Sequence, residues 1–194
     1  IWRRAPNPDG SFEAAFATVA ADRDAHWTAE DLRQRMEFGL RCSYAHGTRA
    51  IRTHLLSQPH QAPITWGVFR ELREDWRGRI DLQAVSLLVV DDFRDGQGDA
   101  IADLVAESGG LLGAVSFMRS DIDDLFDRIF RLASDRGLDL DLHIDESLDA
   151  EDKALRHATA AAVDGDAQRV LRPRYDVRLE GDFRPEEPVD VALG

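Results

Sequence analysis

The chain has 194 residues, 43% hydrophobic and 31% charged, with a formal net charge of −13. That length supports one domain with a core, falls short of a complete eight-stranded α/β barrel of about 250 residues, and the composition excludes an intrinsically disordered chain. The acidic balance, with no basic stripe, argues against nucleic acid and against an anionic membrane surface as partners.

The single cysteine, Cys42, excludes an intramolecular disulfide and a thiolate metal site. It sits in the apolar helical stretch 38–44 and reads as a small buried hydrophobe. The chain opens at Ile1-Trp2-Arg3-Arg4 without an apolar signal stretch, and no apolar run is long enough to span a bilayer, so the cytoplasm is the expected compartment.

Residues 1–12 read as loop, with prolines and an Asp9-Gly10 turn signal. A short helix is predicted over 13–24. Thr28 is placed as the N-cap of a second helix that runs to about Tyr44 and stops at His46-Gly47, with Glu30 and Asp31 in its first turn. Ala50 to Leu55 reads as a strand with Ile51, Thr53 and Leu55 on one face and Arg52 and His54 on the other. An amphipathic helix over 65–77 follows, with Val68, Phe69, Leu72 and Trp76 on one stripe and Gly78 as its stop.

Ile80 to Val90 reads as a second strand, apolar through most of its length as a sheet covered on both faces requires. Residues 91–98 are loop and 99–107 helix, ending at Gly109-Gly110. Leu111 to Phe117 is a third strand. Ser120 is expected to cap a helix from Asp121 to about Asp135, closed by Gly137. Leu138 to Ile144 is a fourth strand, and 149–163 another helix with Asp149 at its N-cap. Strand followed by helix, four times over, is the pattern of parallel βαβ units. Residues 164–194 break the rhythm and read as one edge strand, around 174–179, within an irregular tail. The expected fold class is α/β, divided into 1–163 and 164–194.

The fourth strand carries the chemistry. Between Leu138 and Ile144 aliphatic residues alternate with Asp139, Asp141 and His143, and Asp145 and Glu146 follow. In a βαβ setting the aliphatic face packs on helices, so the acidic face turns inward, where carboxylates need partners. Arg52 and His54 on the first strand are the inward cations. His143 stands at the carboxyl end of its strand, where barrel active sites lie. Taken alone, a strand-end histidine more often serves as a structural hydrogen-bonding residue than as a ligand; Asp141, Asp145 and Glu146 are the carboxylates nearest it in the chain. No phosphate loop, CxxC pair, HExxH helix or nucleophile elbow is present. His26, His46, His60 and His157 show no ligand spacing and read as surface or helix-end residues.

Three runs carry a family resemblance: Ala45 through His54, Ile80 through Val85, and Leu140-Asp141-Leu142-His143-Ile144-Asp145-Glu146. In order and spacing, from about residue 1 to 163, they resemble the cytosine deaminase-like branch of the metal-dependent amidohydrolases. The resemblance implies a partial TIM (β/α)8 barrel of about four to five βα units with a short irregular β tail. It implies His143 as a ligand to zinc or iron, from the fifth barrel strand, and Glu146 as the general acid/base. It implies a hydrolase that releases ammonia from a cyclic amidine or amide, a small nitrogen heterocycle, by metal-assisted attack of water.

The departures are equally specific. The family's His-x-His pair of the first strand, its Gly-His motif of the sixth and its Asp ligand of the eighth have no counterpart here. Val89 stands where cytosine-specific members carry a base-reading glutamine, and Leu56 replaces an acidic residue after the Thr53-His54 pair. Residues 171–178 are similar to the strand that joins the family's C-terminal β-sandwich, so the tail is expected to be a remnant of it. Three readings follow: a deaminase-type enzyme, a catalytically inactive truncated barrel acting only as a binding or structural remnant, and an unrelated flavodoxin-like domain, for which no strand-end loop has the phosphate glycines. An open set of parallel strands leaves two edges, which predicts self-association.

Overall fold

The computed structural model describes residues 6–7, 9–146 and 151–164. Helix α1 (Phe12–His26) starts at Ser11, whose hydroxyl accepts from the Ala14 N–H. Helix α2 (Ala29–Ala45) starts at Thr28, which accepts from the Asp31 N–H as expected, and ends at His46 before Gly47 (φ 82°). Four parallel strands follow, β1 (Ala50–Leu56), β2 (Asp81–Leu87), β3 (Leu112–Ser116) and β4 (Leu140–Ile144), alternating with α3 (Ala62–Asp75), α4 (Gly96–Glu107), α5 (Ile122–Arg136) and α6 (Ala154–Asp164). The alternation inferred from the sequence is thus the alternation observed.

β1 pairs with β2 and β3 with β4 in parallel register, Ala50 opposite Asp81 and Leu112 opposite Leu140. The two pairs meet at parallel bridges between Val85 and Leu111 and between Val89 and Val115. Between these bridges the ladder is interrupted: the Ser86 hydroxyl accepts from the Gly113 N–H (2.9 Å) and donates to the Gly113 carbonyl (3.2 Å). Gly113 is required there, because a Cβ would fall within 3.0 Å of the Ser86 carbonyl, Val85 Cγ1 and the Asp141 carbonyl. Among the described residues β1 and β4 are each paired on one side only.

The core lies between the sheet and α3–α6. Trp66, Phe69, Phe126, Ile129 and Ala133 from the helices meet Leu55, Ala84, Leu112 and Ala114 from the strands. Ser57 anchors the turn from β1 into α3, accepting from the buried Trp66 indole N–H (2.9 Å) and donating to the Leu55 carbonyl (2.7 Å). A second cluster, Leu32, Leu40, Val68, Leu72, Trp76 and Ile80, joins α2 to α3. It includes the expected Val68–Leu72–Trp76 stripe.

Several boundaries differ from expectation. β2 stops at Leu87 and the chain turns into a 3-10 turn at Val90–Phe93, because Val90 and Phe93 are drawn into the core. Asp121, not Ser120, precedes α5, and its side chain makes no cap; it pairs with Arg94 instead. Cys42 is exposed, since Leu32 and Leu40 face the core of α2. The expected Asp149 cap, residues 1–5 and the tail strand at 174–179 lie outside the described residues. No described helix is long and apolar enough to cross a membrane.

Candidate active site at the carboxyl ends of the strands

Parallel register sets which side chains share a face. Arg52, His54 and Leu56 of β1 align with Gln83, Val85 and Leu87 of β2, and Gly113 and Val115 of β3 align with Asp141 and His143 of β4. This is the face away from the helices. Its lower part is a polar row: Arg52 donates to Gln83 Oε1 (2.6 Å) and to Asp141 Oδ2 (3.0 Å). His54 Nε2 lies 3.8 Å from Asp141 Oδ1, and the His54 and His143 rings meet edge to face at 4.7 Å between centroids. Asp141 and the two candidate partners of the sequence reading, Arg52 and His54, therefore meet one another.

Toward the carboxyl ends the same face turns apolar. Leu56, Leu87, Val89, Val115 and Phe117 wall a cavity of about 350 Å³ that also touches Gln58, His143 and Glu146. Helix α1 lies over it and contributes Ala15, Val19, Ala20 and Arg23. The Arg23 Nε is held by Asp24 (2.8 Å). The two substituted positions named in the sequence analysis, Leu56 and Val89, are walls of this space.

His143 and Glu146 are brought together: the ring Nδ1 lies 3.0 Å from Glu146 Oε1. In the tautomer that carries its proton on Nδ1, the ring donates to Glu146 and presents a lone pair at Nε2. That atom is buried and has no hydrogen-bond partner among the described residues. An unpartnered imidazole nitrogen backed by a carboxylate is the arrangement of a metal-ligating histidine. His143 fits one ligand of a zinc or iron site. Among the described residues no three His, Cys, Asp or Glu side chains converge to complete it.

Asp145 is spent elsewhere. Its carboxylate accepts from the Ala154 N–H (2.8 Å) and the Leu155 N–H (3.1 Å), capping α6, and it holds a left-handed backbone (φ 57°). Asp141 is committed to Arg52. Of the carboxylates nearest His143 in the chain, only Glu146 reaches it in the described residues.

The loops that follow β2 and β3 are tied together by ion pairs. Asp91 accepts from Arg94 (3.0 Å) and from Arg119, and Asp121 accepts from Arg94. The Arg94 guanidinium holds the Asp121 carboxyl below the usual range. Burial, reinforced by Asp91 and Asp95, pushes the neighbouring Asp92 carboxyl up.

His26, His46, His60 and His157 stand outside the cavity, as expected. His46 Nδ1 lies 2.7 Å from the Cys42 carbonyl at the end of α2, and His157 ties α6 to Asp123 of α5 (2.7 Å). The sequence reading missed the α1 cover and Gln58. The i, i+2 spacing from Arg52 through His54 and Leu56 to Gln58 was the available signal.

No protein-family model matches the chain. It is 51% identical over 164 residues, 84% of its length, to a pterin deaminase of Rhizobium rhizogenes, and spans 37% of that relative. In fold it is similar to the 5-methylcytosine deaminase of Klebsiella pneumoniae in two crystal structures. The structure with 5-fluorocytosine has a TM-score of 0.69 at 21% identity, covering 80% of this chain and 38% of that one. The structure with phosphonocytosine has a TM-score of 0.61 at 22% identity, covering 73% and 35%. The chain resembles the cytosine deaminase-like branch of the amidohydrolases. The chain spans well under half the length of these relatives.

Proposed function

We propose that this chain supplies the central four βα units of a barrel that hydrolytically deaminates a flat nitrogen heterocycle of the pterin or cytosine kind. The observation that carries the reading is the His143–Glu146 pair at the carboxyl end of β4, with an unpartnered His143 Nε2 beside an apolar cavity of about 350 Å³. The 51% identity to a pterin deaminase supports it.

In this reading His143 is one ligand of a zinc or iron site, and the chemistry such an ion supplies is Lewis acidity toward water. Glu146 orients the imidazole through Nδ1 and carries the proton from water to the departing nitrogen. Leu56, Val89, Val115 and Phe117 stack on the ring and exclude bulk water. The net reaction exchanges a ring amino group for oxygen, with one water consumed and one ammonia released. The chain divides into the barrel portion 1–163 and the tail 164–194, works in the cytoplasm, and self-associates through the free edges of β1 and β4. The competing reading, an inactive binding or structural remnant, is favoured by the lack of a complete ligand set among the described residues, because catalytic zinc takes three protein ligands.

Elemental analysis of the purified chain tests the assignment, with His143→Ala beside it. Near-stoichiometric zinc or iron that vanishes in the variant, together with ammonia release from pterin or cytosine, is the expected result. Equal metal content in the two proteins removes His143 from the ligand set. Bound metal without ammonia release from either compound favours the remnant.

A further inference from the structure

Three buried side-chain polar atoms lack a hydrogen-bond partner among the described residues: Arg35 Nη2, Gln58 Oε1 and His143 Nε2. Arg35 lies away from the cavity, its guanidinium stacked on Trp27 at 4.6 Å. The other two belong to residues that line the same cavity. A buried acceptor with no donor costs free energy unless something brings the donor. For His143 the metal role proposed above accounts for the shielded nitrogen. Gln58 has no such role.

The Gln58 backbone is firmly placed. Its carbonyl accepts from the Gln61 and Ala62 N–H groups (2.8 Å each), so the residue sits at the turn that starts α3, two positions beyond Leu56. Its side chain projects from a fixed base into a space whose walls are otherwise mostly aliphatic or aromatic. Of the remaining polar neighbours, Arg23 is tied to Asp24 and Glu146 to His143.

We propose that the Gln58 side-chain amide reads the polar edge of the heterocycle. The inference rests on the deaminase reading and names its specificity residue. A primary amide offers one acceptor and a donor pair side by side, the complement of a ring N–H beside a ring carbonyl. The oxygen is shielded from the cavity, so reading a ring requires the amide to turn about its last side-chain torsion. Oε1 then accepts the ring N–H, Nε2 donates to the ring carbonyl, and the orphaned oxygen gains a donor.

The test is ligand binding to the full 194-residue chain, followed by ligand fluorescence or calorimetry and independent of turnover. Wild type, Gln58→Leu and Gln58→Met are titrated with pterin, with cytosine, and with quinoxaline, a bicyclic ring that lacks the N–H and carbonyl edge. The expected result is pterin affinity reduced about tenfold in both variants, quinoxaline affinity unchanged, and melting temperatures at or above wild type, since no internal hydrogen bond is lost. Unchanged pterin binding in the variants overturns the role of Gln58 and leaves the deaminase reading intact. An equal loss for pterin and quinoxaline overturns it too, by showing that Gln58 only shapes the cavity. Unfolding of both variants overturns it by revealing a structural partner. A wild-type chain that binds neither pterin nor cytosine overturns the deaminase reading, and this inference with it.

Discussion

Gly113→Ala tests how the two strand pairs are joined. The added methyl would fall within 3.0 Å of two backbone carbonyls, of Ser86 and Asp141, and of Val85 Cγ1. Backbone atoms of β2 and β4 cannot rotate away, so the strands must separate. Overpacking of this kind costs about 1–3 kcal/mol. Separation also breaks the two hydrogen bonds between Ser86 Oγ and Gly113, and a buried donor left unpaired costs about 1–3 kcal/mol more. The expected loss is about 3–5 kcal/mol, a large share of a domain stability of about 5–15 kcal/mol. For a chain of this size that lowers the melting temperature by about 6–20 °C. Urea and thermal unfolding, followed through tryptophan fluorescence with the wholly buried Trp66 as reporter, measure it. Ser86→Ala should lose about 1–3 kcal/mol by orphaning the Gly113 N–H, and the double variant less than the sum of the singles. A Gly113→Ala midpoint within about 2 °C of wild type would refute the close junction of β2 and β3.

Asp145→Ala removes both carboxylate bonds to the α6 amides and leaves a non-glycine residue at φ 57°, so a loss of about 2 kcal/mol is expected, with faster amide exchange confined to α6. Asp145→Asn, which tolerates that backbone and keeps an acceptor, should lose less. Gly39→Ala places a methyl with nothing within 4 Å, beside a cavity of about 260 Å³ under α2, and should raise stability by about 0.5–1 kcal/mol in a denaturation series. Asp92→Asn should stabilise at neutral pH, because burial holds the Asp92 carboxyl above its ordinary value of 3.8 and the folded state therefore resists its ionisation. The folded protein binds the extra proton, so the wild type is penalised as pH rises through that raised value. The gain from Asn should be complete above it and vanish below about 3.8, and a gain independent of pH would count against burial as the cause.

Much of this architecture is written in local pattern. The alternation of Asp139, Asp141 and His143 with aliphatic residues fixes one face for packing, and a period of two admits no other face. Thr28 before Glu30 and Asp31, and Gly47 and Gly137 after their helices, set helix ends by local hydrogen bonding and by backbone freedom, and those boundaries appear where expected. The meeting of Arg52 with Asp141 also followed from charge, since a carboxylate turned toward the interior needs a cation and β1 offered one.

What distant segments do to one another was decided only by the tertiary structure. Nothing local to 12–26 says that α1 covers the strand ends, because Ala15, Val19, Ala20 and Arg23 form no distinctive pattern and their partners lie on four strands further along. Asp145 stands beside His143 and Glu146 in the chain, but the amides of Ala154 and Leu155, nine and ten residues on, claim it. β2 ends early because Val90 and Phe93 gain more from the core under α4 and α5 than from extending the ladder. Gln58 became notable only when burial left its oxygen without a partner, a property of the enclosing walls and not of the residue type.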